Sequence, residues 1–293
     1  MKVFGISIVR NEVDIIGLNI LHHLSLGLDE MLIVDNGSSD GTDRVLQQLG
    51  IDGRIKWSRN DGPYKQPEIF TELAREAHRR GADWVLPIDA DEFWDVTHWD
   101  LKEVLERSNA GALRVQIVNF VQRREQRNTS PGALVHMTRR APQPMGPVEC
   151  CQDLVESHQI AYVEMMYPPK WVTRACSTVK IAAGNHLVSG VEGPYEDSNM
   201  IVCLHAPLRA RSILDAKANT GRRADEAGYP PGEMWHLRRW DRLRDEGALE
   251  AEWLANSYAC NHIDVYETQR PLVFDSRLRD IATRWIRPSL WEG

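Results

Sequence analysis

Three carboxylates fall within four positions in Asp89-Ala90-Asp91-Glu92-Phe93, directly after the apolar run Trp84 to Ile88. Carboxylates crowded at the end of a buried strand repel one another unless a cation or hydrogen-bond donors compensate. Asp89 and Asp91 lie two apart, so in extended backbone both point the same way and could address one divalent ion. Their hard oxygens favour magnesium or manganese. The rival reading is a solvated acidic turn. Two further polar clusters end apolar runs, Val9-Arg10-Asn11-Glu12 and Asp35-Asn36-Gly37-Ser38-Ser39-Asp40-Gly41-Thr42. Taken singly, each reads as helix capping, by Asn11 and by Ser39 or Asp40.

The elements that must position these clusters alternate. Short apolar runs at Val3 to Val9, Met31 to Val34, Ile55 to Ser58 and Trp84 to Ile88 read as strands. Between them lie helical stretches. The first carries Ile15, Ile16, Leu18, Leu21 and Leu24 and stops at Gly27, the second ends at Gly50, and the third runs from about Pro67 to Arg80. Asp100 with Glu103 forms a capping-box-like start to a fourth, ending near Asn109. Such alternation predicts a doubly wound, mostly parallel α/β sheet. Ligands of these sheets sit at the carboxyl ends of the strands, so clusters following strands one, two and four should converge.

Leu113 to Val121 reads as a longer strand, and the pattern then turns irregular through Pro142 to Pro147, where loops are expected. From Ser212 onward the chain reads as mainly helical. Trp235, Leu237, Trp240, Leu243, Leu249, Trp253 and Leu254 keep roughly helical spacing and form a core stripe rather than an exposed aromatic platform.

With 293 residues and 42% apolar content, the chain can bury one large core or two modest ones. A net charge of -7 argues against a general nucleic-acid binder, which needs surplus Lys and Arg to displace counterions from phosphates. Met1 to Val9 is too short an apolar run for a signal peptide, and no later run approaches membrane-spanning length, so a cytoplasmic protein is expected. Five cysteines (Cys150, Cys151, Cys176, Cys203, Cys260) without a CxxC pair suit reduced thiols, and the adjacent pair reads as ordinary buried residues.

Together the three clusters, with Trp84-Val85-Leu86-Pro87-Ile88 before the third, resemble the family 2 glycosyltransferases of the GT-A fold in order and spacing. The resemblance covers roughly the first hundred residues and fades beyond Phe120. It implies a transfer, with inversion, of a sugar from a nucleotide-diphosphate donor, UDP-linked by expectation, to a hydroxyl acceptor. The acceptor would be a glycan or small molecule, and a homodimer is among the assemblies such a chain could form.

Residue by residue, Val9, Asn11, Glu12, Asp35 and Asn36 would line the nucleotide, with Asp35 on the base or ribose. Asp91 would hold Mn2+ or Mg2+ bridging the diphosphate, with Asp89 on ribose or metal and Ala90 beside the donor. Lys65 and Gln66 resemble a donor-touching segment. A late histidine completes the metal site in relatives; His205, after the apolar run Met200 to Leu204, is preferred to His186, which suits an acceptor contact. Arg209, Arg211 and Lys217 could hold diphosphate oxygens. Substituting Asp35 by alanine is expected to weaken donor binding and leave the fold intact.

Inversion needs a general base. Glu149, Asp153 and Glu156, spaced to share a helical face, are the candidates, with Asp153 favoured; the family's usual Glu-Asp pair is absent. The implied organisation is a GT-A domain over 1–210 (donor half 1–121, acceptor half 122–210) and a mainly helical extension over 211–293. Three rival classes differ in their signals. An aspartate-nucleophile phosphatase would carry its motif after the first strand. A sugar-nucleotidyltransferase usually shows a Gly-rich basic loop there. The remaining rival is a nucleotide-sugar-binding protein without turnover.

Overall fold

The computed structural model describes residues 1–96, 98–142, 148–220, 228–230, 232–259 and 272–286. They divide into two compact units, the first built mainly from Met1–Ile117 and Pro168–Leu204, the second from Val118–Tyr167 and His205–Arg284. The units interleave along the chain, and the second takes in residues from both sides of position 210.

In the first unit the strands and helices alternate as β1 (Val3–Val9), α1 (Ile16–Ser25), β2 (Glu30–Asp35), α2 (Thr42–Gly50), β3 (Ile55–Arg59), α3 (Gln66–Arg79) and β4 (Trp84–Pro87). Then come β5 (Glu92–Val96), α4 (Leu101–Arg107) and the first part of β6 (Ala112–Arg123). The sheet core runs β4-β1-β2-β3, all parallel, with Ile6 opposite Pro87 and Val9 opposite Asp35. This is the predicted doubly wound parallel sheet: β2 and β3 follow outward on one side of β1, and the chain then crosses back to lay β4 on the other side. Every residue of β1 is buried, as a strand covered on both faces requires.

Helix α3 lays Phe70, Ala74 and Ala77, one per turn, onto Phe4, Ile6 and Val85. Pro67 sits in its first turn, where the missing N–H costs nothing. Asp100 does occupy the N-cap of α4, but its side chain makes no capping bond there. Beyond β4 the sheet becomes mixed. The strand β8 (Lys170–Arg174) pairs antiparallel with β4 and with the start of β6, and β9 (Lys180–Ile181) pairs with β10 (Val188–Ser189). β11 (Tyr195–His205) pairs with β5 and β6.

In the second unit the rest of β6 pairs with β7 (Arg139–Arg140), which pairs with β13 (Val273–Phe274), and with β12 (Ser257–Tyr258). Its helices are α5 (Cys151–Glu156), α6 (Arg211–Ala218), α7 (Trp235–Asp245), α8 (Leu249–Ala255) and α9 (Arg277–Trp285). The expected core stripe is there. Trp240 and Trp253 are fully buried, and their indole N–H groups donate to Glu252 (3.1 Å) and to the Arg124 carbonyl (3.0 Å). Leu254 is the exception, being exposed.

The four described cysteines are free thiols, Cys151 and Cys203 buried but Cys150 exposed; Cys260 lies outside the described residues, as does most of the stretch Pro142 to Pro147. Among the described residues, no helix is long and apolar enough to cross a membrane.

Candidate functional site

The ends of β1 and β2 are sewn into one surface. Asn11, at φ +53, donates its backbone N–H to Ser38 Oγ (2.9 Å), and its side-chain oxygen accepts from the Ser39 N–H (2.9 Å). The N–H groups of Glu12 and Val13 donate to Thr42 Oγ1 (2.8 Å) and Asp40 Oδ2 (3.1 Å), and Arg10 reaches the Asn36 carbonyl (2.7 Å). Asn11 therefore links loops and does not cap α1, which starts only at Ile16. Asp40 does meet the first turn of α2, accepting from the Thr42 N–H at 2.9 Å.

Asp35 lies at the centre of this surface. Its carboxylate is fully buried, accepts from the Ser38 N–H (3.0 Å) and hydroxyl, and pairs with Arg59 at 3.1 Å. A carboxylate this embedded shapes the loop as well as offering it to a ligand, so Asp35→Ala is expected to cost stability as well as donor binding: buried donors would lose their acceptor. Asn36 is also buried, and its side-chain oxygen accepts from Asn60 (3.1 Å).

The acidic segment after β4 is a turn, not extended strand. Glu92 donates its N–H back to the Asp89 carbonyl at 3.0 Å, so the same-side geometry inferred from extended backbone does not apply. Asn19 of α1 holds the turn from beneath, its side-chain N–H2 reaching the carbonyls of Asp89 (3.3 Å), Ala90 (3.1 Å) and Glu92 (2.7 Å). The compensating cation for two of the carboxylates is part of the protein. Lys170, the first residue of β8 and almost wholly buried, places Nζ 2.7 Å from Asp89 and 2.8 Å from Glu92 and donates to the Gly184 carbonyl at 2.7 Å. Burial opposes its charge, but the two carboxylates outweigh burial and raise its pKa. Burial pushes Glu92 up to about 8, against the pull of Lys170 and with the push of Asp89 and Asp91. Asp89 keeps 27% side-chain exposure, and Asp91 is nearly buried.

The other expected residues separate by role. Gln66 opens α3 and accepts the Gly184 N–H at 2.8 Å, tying that helix to the loop Ala183–Asn185; Lys65 before it is exposed. His186 follows that loop, with Nδ1 3.2 Å from the Pro169 carbonyl. In the second unit, His205 is buried, its Nδ1 2.9 Å from Asn119 Oδ1. Arg209 is 1% exposed and Arg211 is clasped by Glu250 (3.1 Å) and Asp215 (2.5 Å), so neither stands as an open surface cation. Lys217 donates to the Pro207 carbonyl at 2.9 Å. Glu149 lies in the single turn before α5, so only Asp153 and Glu156 share that helix. Glu156 is held by Arg239 (3.0 Å) and Arg242 (2.5 Å). No three His, Cys, Asp or Glu side chains gather as a metal cluster among the described residues.

Lys170, Asn19, Arg59 and Asn185 were not anticipated. Only the uncompensated charge at Asp89 to Glu92 pointed to a hidden cation, and nothing in the sequence said which lysine supplies it.

The parallel core, the loops sewn over the ends of β1 and β2 and the acidic turn after β4 make this an α/β protein of the GT-A type. Residues 6–151 match the family model of Glycosyl transferase family 2, and over those residues, about half of the chain, it belongs to that family. A glycosyltransferase family 92 protein from Ricinus communis is 31% identical over 122 residues, 39% of this chain and 22% of the relative. The chain thus spans about a fifth of that relative's length. Among solved structures, S. aureus TarS 1–349 is 13% identical with a TM-score of 0.40, covering 87% of this chain and 71% of that one. The same fragment in complex with UDP gives 13%, with the same coverage and a TM-score of 0.39.

Proposed function

We propose that the protein transfers a sugar, with inversion, from a nucleotide-diphosphate donor, UDP-linked in this reading, to a hydroxyl of a glycan or small-molecule acceptor. The observation that carries this reading is the alignment of β4, β1 and β2 in parallel, which brings Asn11, Asp35 and the Asp89–Glu92 turn to one edge of the sheet in a family 2 domain. Ligands of such sheets bind at that edge. The nucleoside lies over the sewn loops of β1 and β2, with Val9, Glu12 and Asn36 around it.

Asp91 would hold Mn2+ or Mg2+, with Asp89 beside it. The fit is chemical: these ions take one or two carboxylates and fill their shell from substrate phosphates and water, so no larger protein cluster is required. Bound there, the ion would neutralise charge developing on the leaving diphosphate. His205 is the candidate further ligand, its ring oriented by Asn119 as a metal-binding imidazole requires. Asp153 takes the proton of the acceptor hydroxyl, since Glu156 is occupied by two arginines.

A thermal-shift series with UDP, GDP and dTDP, each with Mn2+ or with chelator, tests the donor half of this reading. A ligand that binds only the native state raises the melting point. Stabilisation by a diphosphate with Mn2+ and not in chelator supports it; no stabilisation by any of them sinks it.

A further inference from the structure

We infer that Asn185 is a contact for the donor sugar, its side-chain oxygen accepting a sugar hydroxyl beside the carboxylate of Asp89; this rests on the reading under Proposed function. Asn185 is 1% exposed and sits at φ +58, directly after Gly184 at φ +67. Asparagine is among the few non-glycine residues that take positive φ readily, and surrounding bonds hold this turn in place. Here those bonds are the Lys170 and Gln66 contacts to Gly184.

The side-chain N–H2 of Asn185 faces Asp89 Oδ1 at 3.4 Å. Only the nitrogen of an amide can face a carboxylate, which fixes the other atom as the oxygen. Among the described residues that buried oxygen accepts no hydrogen bond. A buried acceptor left unmade is costly, and a native fold that retains one has a reason. Asn185 thus offers an acceptor next to a partly exposed carboxylate acceptor.

The chemistry of the missing donor follows from charge and position. Lys170 occupies Asp89 Oδ2, whereas Asn185 lies against Oδ1, so the acceptors on this side of the carboxylate suit a neutral O–H group that can donate to them. Position selects the sugar. Strand spacing of roughly 4.8 Å puts the β4 end two strands, about 10 Å, from the Asp35 loop measured across β1. A nucleoside fills that span, its diphosphate reaches Asp91, and the sugar beyond it falls over the β4–β8 side, where Asn185 lies.

The experiment compares affinities of UDP, GDP and dTDP with those of their glucose and N-acetylglucosamine conjugates, for the wild type, Asn185→Gly and Asn185→Ala. Glycine tolerates the positive φ and removes only the side chain. The expected result is an unchanged diphosphate affinity, within about twofold, and a loss of about tenfold for the nucleotide-sugar, the worth of one well-placed buried hydrogen bond. On the wild type, one deoxygenated sugar analogue should reproduce that loss, and Asn185→Gly should be indifferent to the same deoxygenation. Equal nucleotide-sugar affinity in wild type and variants overturns this inference alone. Parallel loss of the bare diphosphate also overturns it, because Asn185 would then serve the loop or the nucleotide. If the wild type binds no nucleotide-sugar, the functional reading fails and takes the inference with it.

Discussion

Replacing Lys170 by methionine removes the one ammonium that two carboxylates share while leaving a side chain of similar volume. Lys170 and Glu92 are almost fully buried, at 3% and 2% side-chain exposure. Removing one partner of a buried pair typically costs 3–5 kcal/mol. The lower end, about 3 kcal/mol at neutral pH, applies here, because Asp89 is 27% exposed and Glu92 can take a proton instead of standing as a bare charge. For a chain of this size that lowers the melting temperature by roughly 6–12 °C.

The pH dependence gives the sharper reading. The folded-state pKa of Glu92, about 8, lies above its ordinary 4.5, so the native state holds a proton that the unfolded state has released between those values. Stability from this group is present below pH 4.5 and is lost as pH rises through 8. Without Lys170 the remaining influences, burial and the two aspartates, all push upward, so the loss extends above pH 8 and the deficit of Lys170→Met grows from pH 6 to pH 9. Adding Glu92→Gln should recover much of the deficit at high pH, since no carboxylate is then stranded. Urea denaturation of the wild type, Lys170→Met, Glu92→Gln and the double variant at pH 6 and 9 measures this. A deficit below about 1 kcal/mol, or a double variant no better than Lys170→Met at pH 9, would refute the shared-cation account.

Two further outcomes follow from buried groups. Asp35→Ala should lower stability by about 2–3 kcal/mol, because the Ser38 and Arg59 donors lose their acceptor, and should also weaken nucleotide binding; melting and titration of the same sample separate the two effects. His23 accepts the Trp94 N–H on Nε2 (3.1 Å) and faces the Asn19 carbonyl with Nδ1 (2.8 Å), and burial, helped by His22, holds its pKa well below 6.5. Its unfolded form gains a proton below pH 6.5 that the native form refuses, so stability falls with acid; His23→Gln should flatten that limb of the melting-temperature profile between pH 6.5 and 4.5.

The convergence of the three loops was legible because it rests on local signals, β-branched runs ending in polar residues and helices between them. The partners that hold the loops were not. Lys170 lies 81 residues from Asp89, and a single lysine opening a strand carries no mark of burial. The three carboxylates announce a need for compensating charge, and a lysine that the sequence does not mark as their partner supplies part of it. The same-side placement of Asp89 and Asp91 failed because a turn bond at Glu92 overrides strand periodicity. Arg211 looked like an anion clamp by sequence spacing, yet Glu250, 39 residues on, takes it.

Release of nucleoside diphosphate from UDP-, GDP- and dTDP-sugars, measured with Mn2+, with Mg2+ and with chelator for the wild type and Asp91→Asn, tests the central claim most directly. The account predicts turnover of at least one nucleotide-sugar that requires the ion and is abolished by the Asp91 substitution. Release from none of them, or release undiminished by chelator and by Asp91→Asn, would contradict it.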